Sequence, residues 1–466
     1  MTHTHRYFGP FAFYKKALGI ALPVMAQMLI QNLVSLIDNF MVSGLGDIKM
    51  SGVNITGQLI FVFMVLMNTI CLAGGIFMSQ FFGANDKKGM RQAFCFKLIF
   101  GAGAVVLYTL VCMVFPRAFL SLMVMHNSQS VEILDVAVEY MKLMGFIGIP
   151  MMISTAVSSS LREIEKVKVP LFISVAATLV NTFFNWILIY GHFGAPRLEV
   201  RGAAYATIIA RIVEMAAFMT YIAIKKPPFA VKLQDLLQVN FKLIREILKK
   251  GSMIWFSEML WVLSETTITA LYNGRGGADV VSGMAASFAI ANLFFVANGG
   301  MRTTTGVIIG QTLGRGELEE ARRQKNWLLN GSFIFGCFMA LFGYSTMLLI
   351  PVVFSNLSTS ARAIANTMVF VMSSLMPLWV YIDTQFTISR AGGDTAMGMW
   401  VDGIANLGFV IPGMFFMALC TSFGPVAMYT IVKMADLIKL TIAHFWLKKE
   451  HWLRNLAVEN RQETPA

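Results

Sequence analysis

The stretch KKPPFAVKLQDLLQVNFKLIREILKK, Lys225 to Lys250, is the longest polar connection in a chain of 466 residues and falls almost at its middle. On either side of it the sequence runs in long apolar segments. Overall, 56% of the residues are hydrophobic, 13% are charged, and the mean hydropathy is +0.66. A water-facing surface needs more charge than this, so a soluble globular chain is excluded. Apolar runs of about 20 residues cross a bilayer as helices, whereas outer-membrane barrels show alternating segments of about ten. Twelve spans are read, near residues 17–43, 50–80, 92–114, 131–152, 168–190 and 202–224 before the polar connection. After it come 251–272, 282–310, 327–350, 364–387, 396–420 and 425–447.

The net charge of +12 is explained by where the charges fall. With the N-terminus inside, cytoplasmic segments carry 25 Lys and Arg and the opposite side carries 6. The positive-inside rule therefore places both termini in the cytoplasm and removes the case for nucleic-acid binding. Cys71, Cys95, Cys112, Cys337 and Cys420 lie inside apolar runs, far apart, and read as small buried hydrophobes rather than disulfide or metal ligands. The N-terminus shows no short apolar region with a small-residue cleavage site, so a cleaved signal peptide is not expected.

The two sets of six spans are copies. When the sequence is slid along itself by 231 positions, Met28-Leu29 meets Met259-Leu260, Ile37 meets Ile268 and Gly46 meets Gly277. Ser51-Gly52 falls on Ser282-Gly283, Phe63 on Phe294, Val65 on Val296 and Gly75 on Gly306. Gln80, Gly83 and Arg91 fall on Gln311, Gly314 and Arg322, giving twelve identities without a gap. Six spans is an even number, so both copies enter from the same side. This is a parallel repeat, which in transporters puts the substrate path between the halves. The expected division is residues 1–224 and 251–447 as two six-helix lobes, with 225–250 a cytoplasmic linker and 448–466 a cytoplasmic tail.

Several motifs resemble those of the multidrug and toxic compound extrusion (MATE) family. They are ALPVMAQMLIQNLVSLIDNFMVSGLG with SQFFGANDKKGMRQA in the first half, and GQTLGRGELEEARR with RAGGDT (Arg390–Thr395) in the second. The first-half counterpart of the last motif, REIEKVKVP (Arg162–Pro170), keeps the Arg but lacks the glycines. The resemblance implies an all-α integral membrane fold of two six-helix lobes around a V-shaped central cavity. It also implies a bacterial inner-membrane exporter of organic compounds in exchange for H+ or Na+.

Charged side chains inside spans are costly and mark function by default. Asp38 lies about six residues, roughly 9 Å, from the outer end of its span. Removal of a carboxylate from water favours its neutral form, which suits a proton carrier. Asn181 and Asn185 share a face of span 5, and Thr207 lies in span 6. The resemblance implies a hydrogen-bonded proton-coupling cluster of Asp38, Asn181, Asn185 and Thr207. Relatives often carry a second aspartate where this chain has Asn185, so one titratable group is lost.

In the second half, Glu258 and Glu265 are two turns apart with Trp261 between them, and Asp383 lies in span 10. The resemblance implies a second-lobe ion site from a span-7 glutamate and a span-10 aspartate. Glu258 fits, whereas Asp383 falls a turn beyond the matching position, which Trp379 occupies. Glu258 and Asp383 could hold Na+, and Trp261 and Trp379 could line the substrate path. Arg302, near mid-membrane, demands an acidic partner from among Glu258, Glu265 and Asp383, or orients an anionic or zwitterionic substrate. Glu139 with Lys142, Arg211 with Glu214, and Lys433 with Asp436 read as local i,i+3 pairs, and Asp402 as reaching water.

No Walker A, HExxH, GxSxG or CxxC motif is present, so no enzyme and no cofactor is expected beyond H+ or Na+ as coupling ion. The reading is a monomeric secondary active exporter of small cationic or zwitterionic organic compounds. The alternatives are a flippase for lipid-linked precursors and, further off, a membrane scaffold or sensor without transport.

Overall fold

The computed structural model describes residues 7–124, 130–236 and 238–462. In the first half α1 (Phe11–Ser43), α2 (Asp47–Gly83) and α3 (Lys87–Met113) lead to a short α4 (Pro116–Val124). Then come α5 (Ser130–Met144), α6 (Gly148–Glu163), α7 (Lys168–Tyr190) and α8 (Val200–Lys225), with a 3-10 turn, Gly145–Ile147, joining α5 to α6 in one span. The second half runs α9 (Phe241–Asn273), α10 (Ala278–Gly314), α11 (Leu318–Thr346), short α12 (Ile350–Val353) and α13 (Thr359–Ala391). It ends with α14 (Ala396–Asp402), α15 (Ile411–Cys420), α16 (Pro425–Lys433), α17 (Asp436–Lys448) and α18 (Leu456–Gln462). No strand occurs among the described residues, as a lipid-facing chain requires, because helices satisfy their own backbone groups.

Each of the twelve expected spans falls on helix. Ten helical stretches among the described residues are long and apolar enough to cross a bilayer. The other two have local reasons for missing that mark. Helix α9 opens on the polar FKLIREILKK and carries Glu258 and Glu265, and the last span is broken into α16 and α17. Between α14 and α15 the chain runs as a π-helix, Gly403–Val410.

Contacts divide the chain into two compact units, one of Ala26–Met78 with Asp86–Arg245 and one holding Ser79–Asn85 and Glu246–Ala466 together with the residues up to Met25. The sequence-based division is thus crossed by two first-half segments. Tyr14 donates to the Trp327 carbonyl at 3.2 Å, Thr304 donates to the Ala17 carbonyl at 3.4 Å, and Gly300 leaves room for Met25. Nor is Lys225–Lys250 a free linker. Phe229 is fully buried against Phe94 (ring centroids 5.0 Å), Gln92 bonds the backbone of Gln238 and Asn240, and from Phe241 the segment is already α9.

The ends of α2 and α10 show why the repeat kept its glycines. A Cβ on Gly83 would lie 2.1 Å from the Gln311 carbonyl oxygen, and one on Gly314 would lie 2.0 Å from that of Gln80. These four residues are repeat mates, so the two helices cross backbone to backbone about equivalent points. Small residues are what permit such an approach between membrane helices. We expect Gly83→Ala or Gly314→Ala to force the helix ends apart, at a cost of about 1–3 kcal/mol or more because the obstacle is backbone. A lowered melting temperature of the detergent-purified protein checks this, with Gly103→Ala, where a Cβ meets open space, as the neutral control.

Candidate functional site

Helix α7 buries a stripe of Ser174, Ala177, Asn181, Asn185 and Ile189, three to four residues apart, so its two asparagines face inward. They meet Asp38 of α1. Asn185 Nδ2 donates to Asp38 Oδ1 at 2.7 Å. The Asn181 amide nitrogen faces both carboxylate oxygens, at 3.0 and 2.9 Å, in the orientation that serves an ionised Asp38. Asn181 also lies 3.4 Å from Thr207 Oγ1, so the four residues form one polar cluster. Asn181 and Asn185 are buried, and Asp38 and Thr207 are half-buried.

Below this cluster each half carries a polar strut between its first, fourth, fifth and sixth spans. In the first half Arg162 (α6) donates to Gln27 (α1) at 2.9 Å, and Gln27 donates to Ser174 (α7) at 2.7 Å. Ser174 donates to Glu214 (α8) at 3.1 Å, and Glu214 pairs with Arg211 at 2.6 Å. In the second half Arg390 (α13) pairs with Glu258 (α9) at 3.1 Å, Ser257 donates to Asp402 (α14), and Lys439 (α17) lies 3.2 Å from Asp402. Gln27 and Glu258 are 231 residues apart, and Arg162 and Arg390 open the matching loops. Glu258 thus does for Arg390 what a neutral amide does for Arg162.

The remaining second-half acids are also paired. Of the three candidate partners, Arg302 takes Asp383, with Nη2–Oδ1 at 2.8 Å and Nε 3.2 and 3.3 Å from its two oxygens. Glu265 binds Lys433 rather than leaving that lysine to Asp436. Asp436 instead accepts from Trp379 Nε1 at 2.8 Å and lies 3.6 Å from Lys439. Asp402 is buried and does not reach water, and Glu139 pairs with Arg201 of α8, not with Lys142. The Arg211–Glu214 pair is the local one expected. Trp261 is exposed on α9, and Trp379 is half-buried, 6.0 Å below the Lys433 ammonium. Glu258 and Asp383, the residues named for Na+, each carry a guanidinium.

A family model described as MatE matches residues 23–187 and 254–424, two stretches that cover more than half of the chain and begin one repeat length apart. The chain belongs to the MatE family. Among MatE relatives, a "Probable multidrug resistance protein NorM" of Thermotoga maritima is 24% identical over 323 residues, spanning 68% of this chain and 67% of its own. An "Uncharacterized transporter YisQ" of Bacillus subtilis is 22% identical and spans 87% and 88% of the two chains. A solved outward-facing conformation of a multidrug resistance MATE family transporter superposes with a TM-score of 0.81 at 18% identity, covering 94% and 95%. A MOP superfamily transporter from Pyrococcus furiosus superposes with a TM-score of 0.78, also at 18% identity and covering 94% and 95%. These likenesses show the fold. This MatE chain is a multi-pass membrane transporter and not an enzyme.

Sequence reading missed two buried cations, Lys439 of the second-half strut and Lys97. Lys97 of α3 is fully buried, 2.6 Å from Glu163 Oε2, and donates to Ser159 and Ser160 at 2.9 and 3.1 Å. Its signal was a lone lysine in FCFKLIF opposite the Gly74-Gly75 pair, whose missing side chains leave the space for Lys97 and Glu163. The struts also make a prediction. Glu258→Gln, which reproduces the Gln27 arrangement and keeps an acceptor on Arg390, should cost about 1.5 kcal/mol, the lower end of the scale of a hydrogen bond to a charged group. Glu258→Leu should cost about 3–5 kcal/mol, because it strands a buried guanidinium. Melting of the two purified variants distinguishes these outcomes.

Proposed function

We propose that this MatE protein is a secondary active exporter of small organic compounds, cationic or zwitterionic, driven by inward proton movement through Asp38. One observation carries the assignment. Among the four acids singled out by the sequence, Glu258, Glu265 and Asp383 each hold a cation, while Asp38 is held by amides. Asp38 forms no ion pair among the described residues, so it can gain and lose a proton without breaking one.

The cycle follows from this. On the outer side Asp38 takes a proton, which weakens its hold on the donor amides and repacks α1 against α7. Substrate leaves, and the protonated protein returns its site to the cytoplasm, where Asp38 releases the proton and substrate binds again. Sodium coupling at Glu258 and Asp383 would require the ion to displace Arg390 and Arg302, so H+ is the favoured ion. A flippase for pyrophosphate-linked lipids needs free cationic groups, and Arg302 is already engaged by Asp383. The excess of Lys and Arg in alternate loops supports a cytoplasmic membrane location with both termini inside.

The test uses proteoliposomes loaded with a fluorescent organic cation. An imposed pH gradient should drive efflux from the native protein, and Asp38→Asn should reduce it at least about tenfold, as expected for loss of an essential proton-transfer group. The same variant should still exchange substrate for substrate. Full pH-driven efflux by Asp38→Asn would overturn the assignment.

A further inference from the structure

The crossing of α2 and α10 is stitched by a piece of chain from elsewhere. Gln80, fully buried at the end of α2, uses its whole side chain on backbone. Its Nε2 donates to the Ala391 carbonyl at 2.7 Å and to the Arg454 carbonyl at 3.3 Å, and its Oε1 accepts from the Leu456 amide at 2.7 Å. Residues 452–456, which follow the last span, are thereby bound to both α2 and the end of α13. Asn455 adds a bond to the end of α10, donating to the Gly314 carbonyl at 3.2 Å, while its Oδ1 caps α18 by accepting from the Ala457 and Val458 amides.

The RAGGDT motif is shaped to receive this segment. A Cβ on Gly392 would lie 1.5 Å from the Trp452 carbonyl oxygen, so no side chain fits there. Gly393 takes φ +79 and turns its carbonyl to accept from Lys250 Nζ at 2.8 Å. Asp394 accepts from Trp446 Nε1 at 2.8 Å. The matching first-half loop makes a similar turn with Glu165 (φ 63) and has Ile164 where the second half has Gly392. The glycines are kept on the side where a segment docks and are absent on the other. Trp452 is 1% exposed, Lys325 lies 6.0 Å over its ring, and Arg322 pairs with Glu450 at 2.7 Å. This fastens the segment to α11, as Phe229 fastens the first-half connection to α3.

From this geometry we propose that residues 452–456 form a latch. They hold the ends of α2, α10 and α13 together and lift from Gln80 when those ends part. The docked latch is a property of the fold. Its lifting during turnover rests on the transport reading above. The Gln80 side chain bonds this segment at both a carbonyl and an amide. It shares the fastening with Asn455 on α10 and with the Arg322 and Lys325 contacts of α11, and it is the contact that ties the segment to α2.

The test places a reporter under the latch. Ala457 is 1% exposed, so Ala457→Cys is shielded while the latch is docked. Cys337 and Cys420 are replaced by Ser, and Cys71, Cys95 and Cys112 are buried. Reaction of Ala457→Cys with a membrane-impermeant maleimide is followed on the full-length protein in inside-out vesicles. We expect slow labelling at rest, at least a tenfold rise when Gln80→Leu is added, and a rise in the Gln80 background when organic cation and a pH gradient are supplied together. Unchanged labelling in Gln80→Leu would overturn the docking assignment, and this arm needs no transport. Unchanged labelling while efflux is measured in the same vesicles would overturn the lifting. Absence of efflux from the native protein would instead count against the transport reading, and the Gln80→Leu arm would still decide the latch. Size-exclusion profiles of both variants separate loss of the latch from loss of the fold.

Discussion

The backbone crossing of α2 and α10 is the constraint around which the rest is arranged. Between membrane helices there is no hydrophobic gain from association, because lipid is as apolar as leucine. Close packing has to supply the attraction, and Gly83 and Gly314 supply it by letting each helix touch the other's carbonyl. Since the four contact residues are repeat mates, the crossing is its own pseudo-symmetric image. That accounts for identities such as Gln80/Gln311 and Gly83/Gly314, which aliphatic exchange alone would have erased. It also explains why residues 79–85 pack with second-half helices rather than with the rest of α2.

The same economy governs the buried charges. Burial of an ion pair contributes little net stability, but removal of one partner is costly, so such pairs persist once formed. Each half uses polar groups to tie its first span to the end of its fourth, then to its fifth and sixth. The first half uses Arg162, Gln27, Ser174 and Glu214, and the second uses Arg390, Glu258, Asp402 and Lys439. The ligands differ, an amide against a carboxylate, while the struts run between the same helices. Glu258 is therefore better understood as a scaffold residue than as a mobile charge.

Much of this was legible in the sequence, for identifiable reasons. Long apolar runs, the Lys and Arg distribution and a gap-free repeat depend on local composition, and they gave twelve spans in two copies. Helical spacing placed Asn181 and Asn185 on one face of a span, and the family resemblance was what joined them to Asp38 and Thr207. The pairings were not legible, because they depend on which helix packs beside which. Lys433 finds Glu265 across 168 positions rather than Asp436 three residues away, and Glu139 finds Arg201 on α8. The latch was hidden for the same reason. RAGGDT carried its glycines in plain view, but what they accommodate is the Trp452 carbonyl, contributed from beyond the last span.

The contrast between the halves bears on how a proton could do work here. The position one repeat after Asp38 is Thr269, so the carboxylate was kept in one copy alone. A membrane potential supplies about 2.3 kcal/mol per charge per 100 mV. Freeing an acid from a buried guanidinium costs about 3–5 kcal/mol, because the cation is left uncompensated. One proton moving down an ordinary potential does not supply enough to open Glu258–Arg390, whose guanidinium is buried. An acid held by two neutral amides presents no such barrier, because its protonation strands no charge. On these magnitudes the proposed coupling belongs to Asp38, which forms no ion pair among the described residues.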